Sequence, residues 1–193
     1  MDRRTERTRR ALKSAFLELV LARGYAAVTV GDIIDQANVG RSTFYLHYSG
    51  KEGLLTESLE APCSGLAACV GDEVTSETLT PPLAHFRDQW GINRVFFEHP
   101  LRAVCVQRLA ALIERNLVRT RDPNRMGPAQ ALIPRPLMAL LLAEMQIALI
   151  THWLAGAAPV EPHNLAQALL ISTHAVLASG AFDRAARVER ASA

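Results

Sequence analysis

The chain has 193 residues, 49% of them hydrophobic and 21% charged, which is long and apolar enough for one domain, or two small ones, around a packed core. That excludes a disordered tail protein. The formal net charge of +2 excludes a polycation, so affinity for an anionic partner has to come from where the charges sit.

Residues 1–51 hold nine basic side chains (Arg3, Arg4, Arg7, Arg9, Arg10, Lys13, Arg23, Arg41, Lys51) against five acidic ones, a local +4 that leaves −2 for the other 142 residues. Such a split hints that the front of the chain faces an anion, although 19 of the 21 basic residues are Arg and a codon bias would produce the same asymmetry. Cys63, Cys69 and Cys105 are odd in number and contain no CxxC pair, which favours reduced thiols and a cytoplasmic location over a disulfide framework or a four-ligand zinc site. The segment MDRRTERTRR leads into amphipathic sequence and not into an apolar run, so no secretory signal is expected and the mature protein is expected to begin there.

Apolar residues recur at three- and four-residue steps with no useful β-alternation, so an all-α fold is expected. A first helix from about Thr5 to Ala22 aligns Leu12, Phe16, Leu19 and Arg23 on one stripe widened by Ala15 and Val20, and Gly24 stands where a left-handed cap belongs. Thr29 and Asp32 have capping-box spacing ahead of a short helix, Val30 to Ala37, that buries Ile33, Ile34 and Ala37. Asn38, Val39 and Gly40 supply a turn with one apolar plug, a second short helix runs from Arg41 to Tyr48, and Ser49 with Glu52 forms a second box that opens a third.

Beyond residue 60, Pro62, Gly65, Gly71, Pro81, Pro82, Pro100, Pro123, Pro128, Pro134, Pro136, Gly156, Pro159 and Pro162 punctuate the chain into helices of about 81–98, 101–120, 136–155 and 162–180. Pro82, Pro100, Pro136 and Pro162 fall near helix starts, where a missing N–H is harmless. Arg119 to Pro128 reads as a polar loop and Arg184 to Ala193 as a frayed tail. Leu137 to Leu154 approaches membrane-spanning length but contains Glu144, Gln146 and His152, so a buried or interface helix is expected and no membrane association.

Two helices of about eight residues split by a three-residue turn have helix-turn-helix proportions, shared with an ordinary helical hairpin. In the first case Phe44 and Tyr48 face the core, Leu46 lies at the margin, and Arg41, Ser42, Thr43, Tyr45 and His47 are left for a groove. Arg41 has the planar fork that reads guanine, Ser42 and Thr43 permit close approach, and Tyr45 suits a phosphate or sugar. Lys51 and Thr29 stand at helix starts, where backbone N–H groups converge on phosphate. The plainer alternatives are a solvated charge for Arg41, a rim residue for Tyr45 and a structural role for His47.

The stretch TVGDIIDQANVGRSTFYLHYSGKEGLL, residues 29–55, preceded by a helix ending in ARGYAAV, resembles the N-terminal domain of the tetracycline-repressor (TetR/AcrR) family of transcriptional regulators. The signature is Phe44, Tyr45, His47, Tyr48, Lys51, Glu52 and Leu54 in order and spacing, and the strong match covers residues 5–60. The resemblance implies DNA contacts at Thr29, Gly40, Arg41, Ser42, Thr43, Tyr45, His47 and Lys51. It implies a three-helix DNA-binding domain over residues 1–55, with the helix-turn-helix at about 29–48, and a helical ligand-binding and dimerisation domain over 56–193. Two departures stand out: Gly40 replaces a frequent capping Ser, and Tyr48 replaces the commoner Phe.

One recognition helix discriminates weakly, and pairing two on a palindromic operator requires a homodimer. The last two helices are the candidates, through Leu137, Leu141, Met145 and Leu149 with Leu165, Leu169 and Val176. Trp90, Asn93, Phe97, Cys105, Arg108, Gln146 and Trp153, with His85, Phe96 and Met126 nearby, are candidates to wall an apolar pocket, plain core packing being the alternative for the aromatics. By resemblance that pocket takes a small apolar or aromatic inducer that releases a repressor from double-stranded DNA. There is no HExxH, no Glu-x-x-His pair, no phosphate-cradling glycine loop and no GxSxG, so no enzyme, metal site or cofactor is expected. The alternative function is a helical small-molecule-binding or scaffolding protein without operator specificity.

Overall fold

A computed structural model describes residues 3–88, 101–119, 133–156 and 159–178. These residues contain no strand. Eight α-helices and two 3-10 turns follow in the order α1 (Arg3–Arg23), a turn (Tyr25–Ala27), α2 (Val30–Ala37), α3 (Arg41–His47), α4 (Lys51–Ala67), a turn (Ala68–Val70), α5 (Ser76–Asp88), α6 (Leu101–Arg119), α7 (Arg135–Leu154) and α8 (Pro162–Ala178). Contacts divide the chain into two units, one taking it to Ala61 together with Leu101 and Arg102, the other taking Pro62–Asp88 and the described residues from Ala103 onward.

In the first unit α1 buries Leu12, Ala15, Phe16, Leu19 and Val20, a single stripe at helical spacing that packs on α2. Arg23 leaves that stripe: its side chain is 56% exposed and reaches Asp32 at 3.3 Å, an ion pair too open to contribute much. Gly24 has φ +77° but ψ 152°, not the left-handed helical cap its position suggested. That backbone region is open essentially to glycine alone. Its N–H still closes α1 by donating to Val20 O at 2.9 Å. Ile33 and Ile34 are buried as expected, whereas Ala37 is half-buried.

The second unit is built from the tail of α4, α5, the main part of α6, α7 and α8. Its most extensive helix pair is α5 with α8, and α8 also meets α7 and the Ala68–Val70 turn. Leu79 and Leu83 of α5, Leu109 and Ile113 of α6, Met138, Leu142, Ile147 and Ile150 of α7, and Leu165 and Leu169 of α8 fill its core. All three cysteines are buried, and burial pushes the Cys69 thiol up to about 12, far from thiolate character.

Three expected boundaries move. Pro62 and Gly65 do not interrupt the chain, because α4 runs through both, with Leu59, Cys63 and Leu66 continuing one buried line across the proline. Next, α5 starts at Ser76 and not at about residue 81, which puts Pro81 and Pro82 in its interior. Its start is fixed by Thr75 and Thr78, whose hydroxyl accepts from Thr75 N at 3.1 Å and donates to Thr75 O at 2.8 Å. Third, the Ser49–Glu52 box does not form among the described hydrogen bonds, since α4 begins at Lys51 and Glu52 Oε1 accepts from the Tyr25 hydroxyl at 3.2 Å. Residues 89–98 of the expected 81–98 helix, the 120–128 part of the polar loop and the tail from Arg184 lie outside the described residues.

Arg135–Leu154 is long and apolar enough to cross a membrane, with a mean hydropathy of 1.6, yet 44% of its most apolar stretch is buried within the protein. Gln146 lies in that buried face, fully enclosed, and its Nε2 donates to Thr173 Oγ1 at 3.1 Å.

Candidate nucleic-acid interface

The path into α2 is held at both of its ends. Thr29 and Asp32 form the capping box: Asp32 N donates to Thr29 Oγ1 at 3.2 Å and Thr29 N to Asp32 Oδ2 at 2.8 Å, while the Thr29 hydroxyl donates to the same oxygen at 2.6 Å. These bonds from Thr29, helped by Arg23, hold the Asp32 carboxyl below the usual carboxylate range. At the other end Asn38 adopts φ 51° and ψ 50°, the left-handed residue of the turn, and Val39 N donates to Ile34 O at 3.0 Å. Gly40 is extended, caps α3 without a side-chain bond, and so makes a weaker start than Ser would.

Two aromatic residues fix the rotation of α3. Phe44 is fully buried and Tyr48 is 6% exposed, with ring centroids 5.8 Å apart. Leu46 is two residues from each, about 200° around the helix from both at 100° per residue, and is therefore aimed straight outward. It is 82% exposed, where the sequence had placed it at the margin; the Phe44–Tyr48 spacing itself carried that signal. Arg41, Ser42 and Tyr45 share the outer surface, Tyr45 at 50% exposure with its ring edge-on to Phe44, and Thr43 and His47 are half-buried at the side. None of Arg41, Ser42 and Tyr45 has a hydrogen-bond partner among the described residues.

Lys51 does something other than point outward. Its Nζ donates to Val28 O at 2.7 Å and Tyr25 O at 2.9 Å, and stands 4.4 Å from the centroid of the Tyr25 ring. It clamps the turn leading into Thr29. The Tyr48 hydroxyl, the departure from the commoner Phe, donates to Glu57 Oε2 at 2.7 Å, and Arg9 Nη2 donates to the same oxygen at 2.7 Å. Burial works against the Glu57 charge, but Arg9 and Tyr48 outweigh it and keep the carboxyl below its usual range; burial, then Glu57, pushes the Tyr48 phenol up to about 12. The end of α3 is thereby tied to α1 and α4.

In the second unit, Leu137 and Leu141 are 50% and 48% exposed one turn apart, and Met145 and Leu149 are half-buried below them. Leu165 at 4% and Leu169 at 0% belong to the protomer's own core, so the outward line of α8 is a different one, centred on Ile171 at 69%. Val176 is half-buried. Of the pocket candidates, Trp90, Asn93 and Phe97, with Phe96 and Met126, lie outside the described residues. Trp153 donates its Nε1 to Val160 O at 2.6 Å, and Cys105 is buried. A cleft of about 570 Å³ bounded by Gly71–Val74, Asn116 and Arg119, and one of about 380 Å³ between α6 and α7, are lined by other residues than Cys105, Arg108, Gln146 and Trp153. Gln146 Oε1 and His174 Nε2 are buried without a hydrogen-bond partner among the described residues.

Residues 14–57 match the family model described as bacterial regulatory proteins, tetR family. The HTH-type transcriptional regulator YxbF of Bacillus subtilis is 43% identical over 65 residues, covering 33% of this chain but only 17% of YxbF. A TetR transcriptional regulator from Streptococcus agalactiae superposes with a TM-score of 0.58 at 28% identity, over 89% of this chain and 96% of that one. FadR of Thermus thermophilus, a TetR-family transcriptional repressor solved in complex with lauroyl-CoA, shares the fold at a TM-score of 0.53 and 21% identity, over 88% of this chain and 93% of its own. The capped α2, the Asn38 turn and the aromatic-anchored α3 all lie within residues 14–57, the segment that is similar to the tetR family of bacterial regulatory proteins.

Proposed function

We propose that the protein is a cytoplasmic, sequence-specific DNA-binding regulator, a homodimeric repressor that a small apolar or aromatic ligand releases from a palindromic operator. The observation that carries this reading is the outer face of α3, where a guanidinium and two hydroxyls stand exposed with no hydrogen-bond partner among the described residues. Arg41 matches O6 and N7 of guanine, a pairing worth about 1–3 kcal/mol against a wrong base. Ser42, Thr43, Tyr45 and His47 complete the surface, and Thr29 and Gly40 set its backbone approach. Lys51 serves it through the Tyr25–Val28 turn.

A seven-residue helix reads too few bases to find one site in a genome, and a second copy about 34–36 Å away supplies the rest. The exposed Leu137 and Leu141, with Ile171 on the neighbouring helix, are apolar enough to hold two protomers together. The unfilled Gln146 Oε1 and His174 Nε2 favour a ligand that brings its own polar group into an otherwise apolar unit. Such a ligand releases DNA only through a difference in affinity for the bound and free states.

Fluorescence anisotropy on duplexes flanking the protein's own gene, against random duplex and across a salt series, tests the reading. Binding that exceeds the random control by about 10³ supports it. Equal affinity for specific and random DNA, from an unbiased pool as well, rejects it in favour of a helical small-molecule-binding or scaffolding protein.

A further inference from the structure

The most exposed large apolar side chain described in the protein is Leu46, at 82%. A single exposed leucine is ordinary on a protein surface. This one sits at the outward centre of α3, with Ser42 one turn before it and Tyr45 beside it, on the face whose polar groups have no hydrogen-bond partner among the described residues. Ser42 and Tyr45 beside it are hydroxylic, and among the described residues the isobutyl group stands open to solvent.

The face therefore presents hydrogen-bonding groups and one bare apolar knob within a single helical turn. The edges of DNA bases in the major groove are acceptors and donors with one apolar feature, the C5-methyl group of thymine. Ser42 and Leu46 are separated by about 6 Å along the helix at 1.5 Å per residue, close to two base steps of about 3.4 Å. We propose that Leu46 is a base-reading residue that packs on the C5-methyl of a thymine in each operator half-site. The inference rests on the operator-binding reading and adds to it a specificity-determining residue and the chemical group that it reads.

The test begins with selection of preferred duplexes from a randomised pool by the full-length protein. Each thymine of the preferred site is then replaced by deoxyuridine in both half-sites, which removes the methyl and leaves every hydrogen-bonding edge intact. For the wild type, one symmetry-related thymine pair is expected to lose roughly an order of magnitude in affinity, from about 0.8 kcal/mol per buried carbon and tenfold per 1.4 kcal/mol. Leu46→Ala is expected to bind the thymine and deoxyuridine duplexes equally, whereas Arg41→Ala keeps the difference. Because Leu46 touches little of the core, Leu46→Ala is expected to melt like the wild type, which separates lost reading from lost folding. A preferred site without a methyl-sensitive thymine, or a sensitivity that Leu46→Ala retains, overturns the inference while leaving operator binding in place. A pool that yields no preferred sequence overturns both.

Discussion

Lys51 is engaged by its own protein. Two carbonyls, of Tyr25 and Val28, take its N–H bonds, and the Tyr25 ring lies beneath the charge. Lys51→Met is expected to lower stability by about 1–2 kcal/mol, since two carbonyls lose a charged donor, as read by urea unfolding. The slope of log affinity against log salt should stay at the wild-type value, whereas loss of a phosphate contact would reduce it by about 0.9. Gly40 offers the opposite case. Its φ of −65° suits any residue, and a Cβ there would meet only Thr43 Oγ1 at 3.8 Å. Gly40→Ser is expected to raise the urea midpoint by the equivalent of about 0.5 kcal/mol, from a better cap and a stiffer unfolded chain. The weakness at Gly40 was legible because an N-cap is a matter of adjacent residues. The engagement of Lys51 was not: its acceptors lie 23 and 26 positions earlier, and only folding brings them within reach.

The helices owe their ends to different kinds of information. Val30–Ala37 and Arg41–His47 could be drawn from sequence because Thr29, Asp32 and Asn38 fix their ends locally. The interior of α4 and the start of α5 could not, because a proline read as a boundary is tolerated inside a helix, as where Leu59, Cys63 and Leu66 continue one buried line around Pro62. For α3 the orientation rests partly on Glu57, which collects the Tyr48 hydroxyl and the Arg9 guanidinium. The folded carboxyl titrates below its ordinary value of 4.5, so its contribution is complete above that pH and is lost as the pH falls through the lower folded value. Urea unfolding of the wild type and Glu57→Gln across pH 3–7 is expected to show a stability gap that is constant near neutrality and narrows below about 4.5. A gap that widened on acidification would contradict the arrangement.

For the whole molecule the useful contrast is between two leucines that sequence alone could not separate. Leu141 is 48% exposed and Leu169 fully enclosed, although both lie in apolar helical runs. Their difference is set by which face each helix turns toward α5 and its neighbours, a tertiary fact that periodicity near the apolar extreme does not encode. Leu141→Asp is expected to remain folded by circular dichroism while light scattering reports half the wild-type mass. Leu169→Asp places a charge in the core and is expected to abolish the folded signal altogether. The amide of Gln146 has a related consequence. With Oε1 enclosed and without a partner among the described residues, the second unit sits below the stability its own packing would allow, and Gln146→Met combined with Thr173→Val is expected to raise it by about 1 kcal/mol. A small molecule that donates a hydrogen bond to that oxygen stabilises the native state by mass action, about 2.7 kcal/mol at a hundredfold excess over its Kd. The melting temperature of the protein on its own, with no DNA present, thereby becomes the assay by which the proposed ligand can be sought.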